Sequence, residues 1–243
     1  MKKYLLSTLA DGICVVLLSV CPILCYASAF SVKLESSVLI MAAVLFSIVF
    51  SLLSAFVKNN LKYALCMTVI AFVAFLVFVF ANERIFAQAN YAINKLLELY
   101  SVYLSVYSNI KFASYIANDA TGFFVLLSLI LNGLFSFLIS RIKSIKIAGL
   151  LSIALLVPCF VLVNTLPDLV PLLIIFTVLF ALYFSSQTRQ LNYAHSGVIT
   201  AVCAVILAVL ITVLAVINPV ADYERPKWQD NMLNTVQTLT GMK

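Results

Sequence analysis

The sequence predicts an all-α integral membrane protein: a bundle of about seven transmembrane helices with one amphipathic helix on its outer side. Three observations lead there. Hydrophobic residues make up 64% of the chain and charged residues only 10%, against roughly 45–50% and about 25% in soluble domains. Mean hydropathy is +1.14. The apolar residues also come in long runs, and a run of about 18 residues can cross a hydrocarbon core of about 30 Å. A surface of that composition is solvated by lipid.

The first span is 12–32, behind the basic start "MKK". A cleaved leader would begin the same way, but Asp11 interrupts the approach and the run continues through Pro22. It reads as a retained helix. The second span is 37–57, where Ser47, Ser51 and Ala55 recur every four residues as a small-residue face for close packing. The third is 63–81.

Segment 84–118 is different, being aromatic and only moderately polar. Asn94, Glu98, Ser101, Ser105 and Ser108 recur at three and four, and Ile93, Leu97, Tyr100, Leu104 and Tyr107 form the opposing stripe. Such a segment lies on the outer leaflet or caps the bundle, its tyrosines at headgroup level.

The fourth span is 121–140, in which Asn132 is the most deeply placed strong polar group and reads as a hydrogen-bonding link between helices. Spans 147–164 and 169–186 are short and joined by "TLPD", a tight hairpin with Pro167 ending one helix and Asp168 starting the next. Pro158 and Pro171 fall inside this pair. The seventh span is 197–217. Residues 218–243 form a polar tail with six charged residues and the only tryptophan. Pro226 suits a first helical turn, Gly241 a stop, and Trp228, Met232, Val236 and Leu239 share a face. A short amphipathic helix over 226–240 is expected there, with Trp228 at the headgroup layer.

Orientation follows from basic residues, which concentrate on the cytoplasmic side. With the amino terminus inside, the inner segments hold Lys2, Lys3, Lys58, Lys62, Arg141, Lys143, Lys146 and Arg189 against Asp11 alone. The outer segments hold seven basic residues against eight acidic ones. The expected location is therefore a cell membrane, multi-pass, with the amino terminus cytoplasmic and the carboxy-terminal tail outside.

Chemistry-bearing constellations are not seen. Cys14, Cys21, Cys25, Cys66, Cys159 and Cys203 all fall in apolar runs, where cysteine is a small packing residue, and His195 stands alone. No catalytic, cofactor-binding or metal-binding residue is assigned, and no cofactor is expected. The expected partners are the bilayer and other membrane or cell-envelope proteins, with no nucleic acid.

Several short motifs have a familiar order. "RIKSIK" leads into a proline-containing span, followed by "NTLPDLVPLL", a basic loop around "SSQTRQ", a last span and "NPVADYERPKW"; "NYAINKLLELY" lies upstream. In this the chain resembles the amino-terminal membrane region of bacterial transglutaminase-like membrane proteins. The resemblance implies a membrane anchor or scaffold, residues 1–217, ahead of a papain-like extracytoplasmic domain with a Cys-His-Asp triad. Residues 218–243 would then be the linker to that domain. No triad residue carries over, because the cysteines here are in lipid and His195 is on the cytoplasmic side. Two other functions fit the span count. A small transport component, of the substrate-binding subunit type of vitamin transporters, predicts a cavity with convergent polar groups. A glycan polymerase or ligase predicts outer arginines or histidines, and Arg84 is the only arginine in the large outer loop.

Overall fold

The computed structural model describes residues 2–57, 59–80, 82–104, 117–161, 167–190 and Val209. The described elements are all helical: α1 Lys2–Ala29, α2 Ser36–Phe56, α3 Asn60–Phe80, α4 Asn82–Leu104, α5 Thr121–Ser136, α6 Ile145–Val161 and α7 Leu169–Gln190. A six-residue π-helical turn, Phe137–Ile142, extends α5. Among the described residues four helices are long and apolar enough to cross a membrane: Asp11–Ala29, Ser36–Ser54, Asn60–Val77 and Thr121–Ile142. Two shorter apolar helices, Ile145–Phe160 and Leu169–Phe184, complete the described set. The expected seventh span at 197–217, the tail with Trp228, His195, Cys203 and residues 105–116 of the amphipathic segment lie outside the described residues, apart from Val209.

Helix α1 is the centre of the bundle, packing against α2, α5, α6 and α7, while α2 packs along α5. Its core face carries Leu18, Cys21 and Cys25, and Phe30 follows in the turn, all buried. Small residues set the α1–α2 distance. A Cβ on Gly12 would come within 3.1 Å of Ser51 Oγ, and Ser47 Oγ donates to the Gly12 carbonyl at 2.9 Å. Two members of the small-residue face thus do what their spacing predicts.

The end of α1 falls short of the expected span because the chain turns at Ser31, which has φ 51°. Val32 N–H returns to the Ala27 carbonyl at 2.9 Å and Ser31 N–H to Ser28 at 3.4 Å. This pair of bonds closes the helix and needs a left-handed residue between them, a place where glycine is the usual choice. Since the left-handed region costs a non-glycine residue roughly 1–2 kcal/mol, Ser31→Gly should raise thermal stability in detergent by about 1 kcal/mol. An unchanged or lowered melting temperature would count against this reading of the turn.

Contacts also sort the turns into two ends. Arg141 reaches carbonyls of Ser54 and Val57, so the basic turns around 57–62 and 141–146 meet at one end. At the other end Ala120 N–H donates to the Lys33 carbonyl at 3.0 Å, Glu35 N–H to Thr121 Oγ1 at 3.0 Å, and Asp168 N–H to Ser28 Oγ at 2.9 Å. Glu35, Asp119 and Asp168 therefore gather opposite the basic turns.

Candidate functional site

Polar side chains occur at three levels of the bundle, and each is held by a specific local cause. At the basic end, the π turn changes the helical phase just where the sequence reaches Arg141. Lys143 closes that turn with φ 54°, its N–H bonded to the Leu138 carbonyl. Arg141 Nη2 donates to Ser54 O at 2.9 Å and to Val57 O, carbonyls at the end of α2, where a helix leaves such groups open to side-chain donors. The guanidinium carbon lies 4.6 Å from the Tyr63 ring centroid. Tyr63 is fully buried, stacks on Phe137 and shares a 3.3 Å hydrogen bond with Ser136. A cation over an aromatic face beside helix C-terminal carbonyls is electrostatically matched twice. The sequence pointed to Arg141 only as a topology charge. A π turn leaves no pattern in apolar spacing that would have revealed the rest.

At mid-depth, Ser128, Asn132 and Ser136 stand one turn apart on the buried side of α5. Asn132 Nδ2 donates to Ser19 Oγ of α1 at 2.8 Å and to the Ser128 carbonyl at 2.9 Å. The interhelical link expected of Asn132 is thus present. Its Oδ1 is buried without a hydrogen-bond partner among the described residues. The serines behave differently. Ser19 and Ser128 return their hydroxyls to carbonyls three residues back, and Ser152 to one four back, so their polarity is absorbed by their own helices.

At the acidic end, α5 starts at Thr121 behind Ala120, which has no side chain to cap it. Gln88 of α4 supplies the cap from outside. Its Oε1 accepts Phe123 N–H at 3.0 Å and its Nε2 donates to Asp119 Oδ1 at 3.3 Å. Gly122 makes this possible, since a Cβ there would lie 2.5 Å from Gln88 Oε1. Lys33 N–H also meets Tyr91 Oη at 3.5 Å. Helix α4 therefore packs on the end of the bundle; of the expected apolar stripe, Leu97 is half-buried and Ile93 exposed, while the side chains of Tyr100, Leu104 and Tyr107 lie outside the described residues. Ile85, Gln88 and Ala92 are buried, with Leu96 and Leu99 packed on the core, while Ile93 remains 38% exposed. The α5 terminus needs an acceptor, and Gln88 turns its face of α4 towards α5 by providing one. Above Gln88, the side chains of Glu83, Arg84, Asn118 and Asp119 surround a polar recess of about 510 Å³.

Two apolar cavities, about 550 and 470 Å³, separate α3 from α2 and α5 and share Phe50, Ile70, Ala74, Leu126 and Leu129. Among the described residues no group of three or more histidine, cysteine or acidic side chains could hold a metal ion. Cys14, Cys21, Cys25, Cys66 and Cys159 are free thiols, and Cys21, Cys25 and Cys159 are buried in the core. Asp168 stands at the start of α7, and Pro171 falls in its first turn, where a missing N–H costs nothing. Pro158 lies within α6.

Compared with known proteins, the chain matches no protein-family model, no curated protein and no solved structure.

Proposed function

We propose that the chain is a membrane scaffold that holds an extracytoplasmic module, of transglutaminase-like type, at its outer face. The observation that carries the reading is where the polar side chains go. Asn132, Ser19, Ser128 and Ser152 bond within or between packed helices, and Gln88 caps α5. A transport site would turn such groups towards a common cavity within the bundle; among the described residues the cavities between α2, α3 and α5 are lined by apolar side chains and Thr68, and the polar recess of Glu83, Arg84 and Asp119 is at the acidic end of the bundle. The separation of charge between the two ends supports an inside amino terminus under the positive-inside rule. Seven spans then deliver residues 218–243 to the outside, where the order of motifs places the link to the module.

The test is the size and exposure of the native gene product. With an epitope tag at the amino terminus, the product in the membrane fraction should run well above the 26.7 kDa of residues 1–243. Protease added outside should trim it to a protected, tagged membrane fragment. A product at 26.7 kDa that outside protease leaves intact would contradict the proposal.

A further inference from the structure

We propose that the apolar slot between α3 and α5 and the polar recess above it together form a binding site for one zwitterionic phospholipid, of the phosphoethanolamine class, from the leaflet at the α4 end. Only the name of that leaflet rests on the orientation proposed above.

The slot is shaped for a chain. Helix α3 is tied to α5 at its inner end by Tyr63, and there a Cβ on Gly133 would meet Met67 Cε at 2.8 Å and Phe50 Cζ at 3.4 Å. That contact closes the slot from below. Towards the α4 end the walls separate, and the lining runs through Ile70, Ala74 and Leu129 to Val77, Ile85 and Gly122. From Gly122 to Gly133 is eleven residues of α5, or about 16 Å at 1.5 Å per residue. This is close to half of a hydrocarbon core of about 30 Å, the depth of one leaflet. A membrane-crossing helix, about 10 Å across, would have to pass the Met67–Gly133 closure. A flexible acyl chain ends there.

The recess is shaped for a headgroup. It adjoins the slot at the Gln88–Gly122 contact, and α4 is the shared wall, with Ile85 on the slot side and Arg84 and Gln88 on the recess side. Among the described residues its charged groups are one cation, Arg84, and two carboxylates, Glu83 and Asp119. A purely anionic head would meet net repulsion. A head with both signs suits all three groups: phosphate on the Arg84 guanidinium, which can bind it through two parallel hydrogen bonds, and the primary ammonium on Glu83 or Asp119. Both cavities are within the size range of small-molecule sites, an apolar body with a few polar groups fixing orientation.

The experiment uses the full chain in bilayers of mixed phosphatidylethanolamine and phosphatidylglycerol. A trace of phosphatidylethanolamine carrying a photoreactive group halfway along one acyl chain is the probe. After irradiation, adducts mapped by mass spectrometry should concentrate on Ala74, Leu126 and Leu129 over Met41 and Leu45, which are freely exposed on α2. Ala74→Phe should remove the slot adducts and leave those on Leu45. Arg84→Ala, an exposed position that leaves the core intact, should lower slot labelling by about tenfold, the scale of one charge-assisted hydrogen bond. Photoreactive phosphatidylglycerol, which has the phosphate but no ammonium for Glu83 or Asp119, should label the slot less than phosphatidylethanolamine does. Equal labelling of Leu45 and the slot would overturn the proposal, as would equal labelling by both lipids with no response to Arg84→Ala. It would also fall if the slot stayed unlabelled while Ala74→Cys formed a disulfide with a second copy. None of these outcomes depends on whether the chain carries an outer module.

Discussion

Replacing Asn132 with aspartate is expected to destabilise the bundle by about 3 kcal/mol, the scale of an acidic side chain at the centre of a membrane helix. Asn132 is fully buried, and its amide nitrogen donates both to Ser19 Oγ and to the Ser128 carbonyl. An ionised carboxylate would face that carbonyl and be repelled by it. A protonated one has a single donor for two acceptors. Asn132→Leu should behave differently. It gives up two hydrogen bonds worth about 0.6 kcal/mol each in a bilayer. It also removes the buried Oδ1 that lacks a partner among the described residues, relieving a penalty of about 1–3 kcal/mol. The leucine variant should therefore melt within a few degrees of the parent in mild detergent, and the aspartate variant far below it. If leucine were as damaging as aspartate, Oδ1 would have to be bonded and the mid-depth account would be wrong.

Arg141→Ala is expected to cost about 2–5 kcal/mol, measured the same way. The change deletes charge-assisted bonds to the end of α2, together worth about 1.5–3 kcal/mol, and a cation–π contact of about 0.5–2 kcal/mol with Tyr63. Arg141→Lys keeps the charge and a donor but loses the flat guanidinium over the ring, so it should recover only part of the loss. The tie is between sequence-distant helices. Its failure should therefore free α3 first, because α3 has few other contacts with the bundle. Faster proteolysis near 57–62 in Arg141→Ala than in Asn132→Leu is the corresponding local result. Full stability in Arg141→Ala would mean that the guanidinium contributes nothing to packing.

How much of this was legible beforehand depended on whether the signal was local. The apolar runs behind α1, α2, α3 and α5 marked membrane-crossing helices directly, because lipid demands unbroken apolar length. The Ser47–Ser51 face and the Asn132 link were also readable, since small and amide side chains in such runs have few other uses. The rotation of α4 was not. It is set by an acceptor for Phe123 N–H, 35 residues from Gln88, and no periodicity within α4 encodes a need that arises in α5. The left-handed closures at Ser31 and Lys143 were hidden for a related reason: glycine announces such a turn, whereas serine and lysine do not. The slot was invisible because it exists only through the divergence of α3 from α5. The sequence does supply its polar rim, as Arg84 at the start of segment 84–118.

The proposed scaffold is polytopic, with its basic turns inside and its carboxy-terminal segment outside. It is tested most directly by a pair of fusions to a reporter enzyme active only outside the cytoplasm. Fused after Ala221 the reporter should be active, and fused after Lys146, beside the Arg141 turn, it should be silent. The reverse pattern would contradict the account by inverting the bundle, and activity at both sites would mean that the seven-span count is wrong.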